Sequence, residues 1–298
     1  DALETVGTWD ERDGMFYDRI EPPDGDAVPI RVRSMVAMIP LLAVAVVNEQ
    51  AIDESLVTDK GFAHYLRHHG LGGTKDMIAA GILRGTPGER RLLVGVADLE
   101  RVRRLWQTIF DPAEFLSPHG LRSLSAYHRD HPYVLEVGGV RAGIDYEPAE
   151  STTAMFGGNS NWRGPVWFPL NYLAATALER YHEFFGAALT IEYPTGSGNW
   201  VTLDAVASDL WERLVSIFLV GSDGSRPCFG GMGRFQTDPR WRNNLLFFEY
   251  FHGDNGAGLG ASHQTGWTGL VADVIRRRHR AYPAVSKVIQ RLVEGEET

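Results

Sequence analysis

The sequence predicts an all-α scaffold that presents long, aromatic-rich loops, and two observations carry that expectation. Apolar residues recur at spacings of three and four along several segments, the signature of one buried helical stripe. Between those segments run long connections dense in Gly, Pro, Asn and Asp, at 110–166, 186–201, 221–238 and 252–263. Loops of that length in a compact domain are functional or disordered. These are also rich in Trp, Phe and Tyr, which disordered linkers lack, so an ordered functional role is expected.

In chain order, the apolar run from Met35 to Val47 reads as a buried helix at about 34–48, with Pro40 inside it and Asn48 and Glu49 closing it. It falls short of the ~20 apolar residues that span a bilayer. A helix at about 54–68 would open on Asp53 and close at Gly70, and another is expected at 97–109. Leu170, Leu173, Ala177, Tyr181 and Phe184 form one stripe. Leu203, Val206, Leu210, Leu214 and Ile217 form a second, and Trp267, Leu270, Val271, Val274 and Ile275 a third. A last helix is expected at about 284–293. No repeat of 20 to 50 residues, low-complexity tract or internal domain boundary is visible.

Composition narrows the partners. The 298 residues are 44% hydrophobic and 22% charged, an ordinary globular balance that fills one large domain or two small ones. With 29 basic against 38 acidic residues the net charge is -9, which disfavours nucleic acid, whose binding depends on phosphate neutralisation. Neutral or cationic small ligands fit better, and no membrane partner is expected. Cys228 is the single cysteine, so an intrachain disulfide is impossible and a cytoplasmic location is the expectation. The chain opens Asp-Ala-Leu-Glu without an initiator methionine or a leader, which reads as a fragment or a processed chain.

Several motifs invite chemistry. Asn159 to Trp167 gathers two indoles, a guanidinium and two carboxamides around the bend at Gly164 and Pro165, which suits a ligand or, equally, a loop in which Arg163 stacks on tryptophan. Glu249 sits among Phe247, Phe248, Tyr250 and Phe251, before a glycine-rich turn. It reads as a general acid or base tuned by desolvation, or as a glutamate ion-paired to Arg240 or Arg242. Gly256 to Ala261 formally satisfies a dinucleotide fingerprint, but no alternating β and α units surround it. His128-x-x-His131, His68-His69, His182-Glu183 and the calcium-loop imitation at Asp10 to Gly14 lack companion ligands, and most of these residues are expected in solvent. Cys228 shows no local sign of activation.

Three strings are more specific: Gly157–Pro169 (GGNSNWRGPVWFP), Phe115–Ser125 (FLSPHGLRSLS) and Glu249–Trp267 (EYFHGDNGAGLGASHQTGW). They resemble glycoside hydrolase family 63, which contains the processing α-glucosidase I of the N-glycan pathway and bacterial relatives. The opening at Trp9–Asp18 and Arg31–Met35 is similar to the larger bacterial members, so the resemblance spans nearly the whole chain. It implies an (α/α)6 toroid, incomplete here at its N-terminal side, with long loops forming the active-site face. Residues 1–298 would be the C-terminal portion of one catalytic domain.

The resemblance also implies inverting hydrolysis of terminal α-linked glucose from an oligosaccharide or glucoside, with no redox or metal cofactor. Glu249 matches the general base. Asn161, Trp162, Arg163, Gly164, Trp167 and Asn171 fall in or beside the sugar-binding loop, and His263, Gln264 and Trp267 in the segment that closes the same pocket. An inverting enzyme sets its base about 6.5 to 9.5 Å from its acid, leaving room for a water. Aromatic faces and polar side chains suit the two sides of a sugar ring. The chain departs from the family in one respect: the Gly-Leu-Asp-Asn-like segment that carries the acid does not occur. A non-catalytic carbohydrate-binding protein and a lyase or epimerase on the same toroid are the alternatives.

Overall fold

The computed structural model describes residues 7–21, 25–51, 60–95, 98–152 and 164–278. Among them are nine α-helices and seven small antiparallel sheets, six two-stranded and one three-stranded. The scaffold is therefore helical but not all-α. The expected long loops are largely hairpins: Leu116–Ser117 with Gly120–Leu121, Tyr133–Val137 with Val140–Ile144, Thr190–Glu192 with Trp200–Thr202, and Tyr250–Phe251 with Gly258–Leu259. Their strands are too short for alternation to stand out in sequence, and they turn on glycines such as Gly138 and Gly139, both at positive φ.

Two helices form the spine. Phe168–Phe185 starts with Pro169 in its first turn, where the missing N–H costs nothing, and ends at Gly186 with φ of 59°. It packs along Leu203–Ser216, whose Leu203, Val206, Ala207, Leu210, Trp211 and Leu214 are buried. Ala174, Ala175 and Ala177 face the interior with Leu178 and Tyr181, and these small side chains let neighbouring elements approach. The expected stripes hold in part: Leu173 and Ile275 are 47% and 40% exposed, so the real faces are rotated from the predicted ones. Leu99–Ile109 forms as expected, capped by Asp98, whose carboxylate accepts the Arg101 N–H at 3.0 Å. Val271–Arg278 docks on Leu203–Ser216 through Val271 and Val274.

The expected 34–48 helix is corrected. A 3-10 turn at Met35–Met38 leads into the short helix Ile39–Leu42, and the chain then becomes the strand Val44–Asn48. That strand pairs with Arg91–Gly95, which lies central, with Leu83–Arg84 beyond it. Val44 and Val46 pack on the main core, whereas Val47 packs on a second cluster of Met77, Leu83 and Leu92. A strand covered on both faces reads as a continuous apolar run, which sequence alone cannot tell from a buried helix.

Lys60–His68 forms the end of the expected 54–68 helix, while Asp53 and the 284–293 helix lie outside the described residues. Among the described residues no helix is long and apolar enough to cross a membrane. His128 corrects the expectation of a solvated residue. Its ring is buried, accepting the Arg33 backbone N–H at Nε2 (2.9 Å) while Nδ1 meets the His131 carbonyl. His68, His69 and His131 are exposed. Cys228 is buried, and burial pushes its thiol up to about 11.

Candidate active site

The two motif-bearing segments meet although about 85 positions separate them. Val166 and Phe251 form a reciprocal backbone bridge, N–H to carbonyl at 2.7 and 3.0 Å. Arg122 of the Phe115–Ser125 string bridges Val166 as well. This crossing sits at the N-terminal end of the 168–185 helix and fixes which side chains share a surface. Trp167 stacks on Tyr250, with centroids 4.9 Å apart and planes 25° from parallel, and Trp267 stands edge-on to Trp167 at 6.0 Å. Trp167 and Tyr250 are buried, whereas Trp267 keeps 39% of its surface in solvent.

Glu249 lies half-buried between Phe248, which enters the core, and Tyr250. Its backbone N–H donates to the Ala261 carbonyl at 2.9 Å, and its Oε2 accepts the Ala261 N–H at 3.1 Å. Among the described residues neither Arg240 nor Arg242 forms an ion pair with it, so the ion-paired alternative is not what holds the carboxylate. The glycine run is explained by this approach. A Cβ at Gly260, whose φ is +69°, would lie 2.7 Å from both Glu249 Oε2 and Tyr250 Cε1. One at Gly258 would lie 2.1 Å from the Phe248 ring. These glycines make room inside a hairpin, which is why the dinucleotide pattern appears without its fold.

Other expected site residues fall variously. Gly164 is buried at φ +142°, its N–H donating to Ser123 Oγ at 3.1 Å and a Cβ there colliding with Tyr146 at 2.6 Å. Asn171 is fully buried, its Oδ1 accepting the Leu121 N–H and its Nδ2 donating to the Leu121 and Trp167 carbonyls, so its amide braces a hairpin against the helix. His263 is exposed beside Phe247. Gln264 starts the Thr265–Thr268 turn, its carbonyl accepting the Trp267 and Thr268 N–H groups and its side chain in solvent. Asn161, Trp162 and Arg163 lie outside the described residues.

Sequence reasoning missed two groups. The first is Glu150, whose carboxylate accepts the Tyr250 hydroxyl; burial, Glu150 and then Glu249 raise that phenol far above its ordinary value. The second is a charge network under the crossing. Arg122, buried, donates to Tyr146 Oη (2.9 Å), to Asp254 Oδ1 (3.1 and 3.3 Å) and to the Pro112, Glu114 and Leu116 carbonyls. Arg129 reaches the other Asp254 oxygen at 3.1 Å. Burial works to raise Asp254, but the Tyr146 hydrogen bond and both arginines hold it below the usual carboxylate range. The only advance signal was that Arg122 and Asp254 lie inside two of the quoted strings. Among the described residues no group of three or more His, Cys, Asp or Glu is placed to hold a metal.

Comparison with known proteins places the chain in a glycoside hydrolase family. The family model of the mannosylglycerate hydrolase MGH1-like glycoside hydrolase domain matches residues 91–268, which contain both motif segments and the Arg122 string. The chain is 40% identical over 266 residues to the uncharacterized protein YMR196W of Saccharomyces cerevisiae, covering 89% of this chain and 24% of that protein. It is 24% identical over 184 residues to a probable mannosyl-oligosaccharide glucosidase of Schizosaccharomyces pombe, covering 61% of this chain and 16% of that protein. The chain thus spans a quarter or less of the length of these relatives.

Proposed function

The chain belongs to the mannosylglycerate hydrolase MGH1-like glycoside hydrolase family, and from that premise we propose that it supplies the base side of an inverting hydrolase acting on terminal α-linked glucose. Glu249 is the general base: Oε2 is held by Ala261 N–H, and the other oxygen is left to take a proton from water. Trp267, which keeps part of its ring in solvent, offers the aromatic face against which a sugar ring packs, with the buried pair Trp167 and Tyr250 behind it. His263 and Gln264, exposed at its edge, supply hydrogen bonds to hydroxyls. Asn161, Trp162, Arg163 and Gly164 are assigned to sugar binding on the family resemblance of their string alone. Asn171 acts from below by fixing Trp167.

The single observation that carries this reading is the Val166–Phe251 bridge, which sets Trp167 against the segment bearing Glu249. Chemistry further needs an acid to protonate the leaving oxygen, because water activated by a base cannot expel an alkoxide at a useful rate. That acid is assigned to sequence upstream, together with the helices that complete an (α/α)6 toroid of which residues 1–298 are the C-terminal portion. The substrate is an oligosaccharide or glucoside.

The test is an assay of residues 1–298 and of an upstream-extended protein on nitrophenyl α-glucoside and glucose disaccharides, with NMR following the anomer first released. The extended protein is expected to release β-glucose and the short chain none. Release of the α-anomer overturns inversion, and release by residues 1–298 alone places the acid within them. An unsaturated or isomerised product would select the lyase or epimerase instead.

A further inference from the structure

At the opposite end of the 168–185 helix, which at 18 residues is ~27 Å long, the three-stranded sheet ends in a row of polar residues. Asn48 lies opposite Arg91 in one ladder, and Arg91 opposite Arg84 in the next. Directly opposed residues share a face, and like charges so opposed destabilise a sheet. Both guanidinium groups line an open hollow of about 560 Å³, within the size range of small-molecule sites.

Local roles account for only part of this arrangement. Arg91 donates one hydrogen bond, to the Glu183 carbonyl at the helix C-terminus (2.8 Å), where a cation is favoured. Arg84 lies over Phe185 and Phe184, 4.7 and 5.5 Å from their centroids, and among the described residues its guanidinium donates no hydrogen bond. Arg90 Nε is buried without a partner. Glu49 is already consumed by Gly88 N–H, Arg90 N–H and the Arg90 guanidinium. Glu89 also lines the hollow, its carboxylate accepts the Thr86 hydroxyl at 3.4 Å, and it makes no ion pair among the described residues.

We propose that this hollow binds the phosphate group of a small soluble molecule, gripped between Arg84 and Arg91 with the Asn48 amide beside them. Guanidinium forks match phosphate oxygens two at a time, and a dianion would turn the opposed arginines from a liability into a clamp. The overall negative charge of the chain does not oppose this, because the site is local and the anion compact.

The experiment titrates the full-length protein with inorganic phosphate and with glucose 6-phosphate by calorimetry at constant ionic strength, and follows Tm alongside. Both ligands are expected to bind and to raise Tm, the sugar phosphate more tightly. Arg84→Gln and Arg91→Gln should each weaken binding about tenfold or more and abolish the Tm rise, while their Tm without phosphate shows that they fold. Arg84→Lys, which keeps the charge but not the fork, should weaken binding several-fold. Absence of binding to wild type, or equal binding by wild type and Arg84→Lys and Arg84→Gln, overturns the proposal.

Discussion

The two ends of the 168–185 helix use the same kinds of residue in opposite ways. At its N-terminal end the buried Arg122 is matched donor by donor, to Asp254, Tyr146 and three carbonyls, and glycines are placed where a Cβ would collide. At its C-terminal end Arg84 and Arg91 stand across a ladder from one another with donors to spare. Charge that is fully paired and packed preorganises a surface before any ligand arrives. Charge left with open donors on the wall of a hollow remains available to a partner. Arginine alone therefore does not mark a site; the fraction of its donors already used does.

The sharpest way to break the comparison is at the carboxylate that the crossing presents. In the full-length protein the general-base role proposed for Glu249 predicts that Glu249→Gln lowers turnover by about 10² to 10⁴ with substrate binding nearly unchanged, since general-base assistance is worth that much. Retention of more than a tenth of wild-type turnover removes Glu249 from the mechanism.

Next in size is the paired end itself. Arg122→Met leaves Asp254 with Arg129 and Tyr146 alone and takes a buried donor from three carbonyls at once, and should cost about 3–5 kcal/mol, the usual penalty for removing one partner of a buried pair. Urea unfolding measures it; a loss below about 1 kcal/mol would mean that the network is not what fixes the crossing. By contrast Arg84→Gln at the open end should leave unfolding almost unmoved.

Gly260→Ala should be smaller, about 1–3 kcal/mol, because it forces a side chain into a left-handed φ and against Glu249 Oε2. It should also reduce turnover, by moving the carboxylate proposed as the base. A variant with lowered stability and wild-type turnover would show that Glu249 is not positioned by this contact.

The smallest effect is acid sensitivity. Burial is the first cause that lowers His119, His128 and His252 below the ordinary histidine value, and His128 Nε2 must stay unprotonated to accept the Arg33 N–H. Groups depressed in the folded state stabilise above the unfolded pKa of ~6.5 and lose that contribution as pH falls below it. Denaturant midpoints should therefore decline from pH 7 towards pH 5, and His128→Gln should flatten the decline. A slope unchanged in that variant would clear His128 of the effect.

Much of the scaffold was legible before any coordinates. The helices Leu99–Ile109, Phe168–Phe185 and Leu203–Ser216 announce themselves because a 3.6-residue apolar period is a local property of the chain. The family resemblance of the quoted strings implied one site for Glu249, Trp167 and Trp267, and the two indoles do meet, 6.0 Å apart. Tertiary structure alone decided the rest. Val44–Asn48 became a strand because two separate apolar clusters cover its faces, and periodicity reports that a residue is buried without saying against what. Asn171 proved a brace because the hairpin carrying Leu121, 50 positions earlier, lies across its amide. Arg122 found Asp254 across 132 positions and Arg91 came to oppose Arg84 through strand register. A side chain's chemistry is written in the sequence, but how many of its donors and acceptors remain free depends on partners that only the folded chain brings within reach.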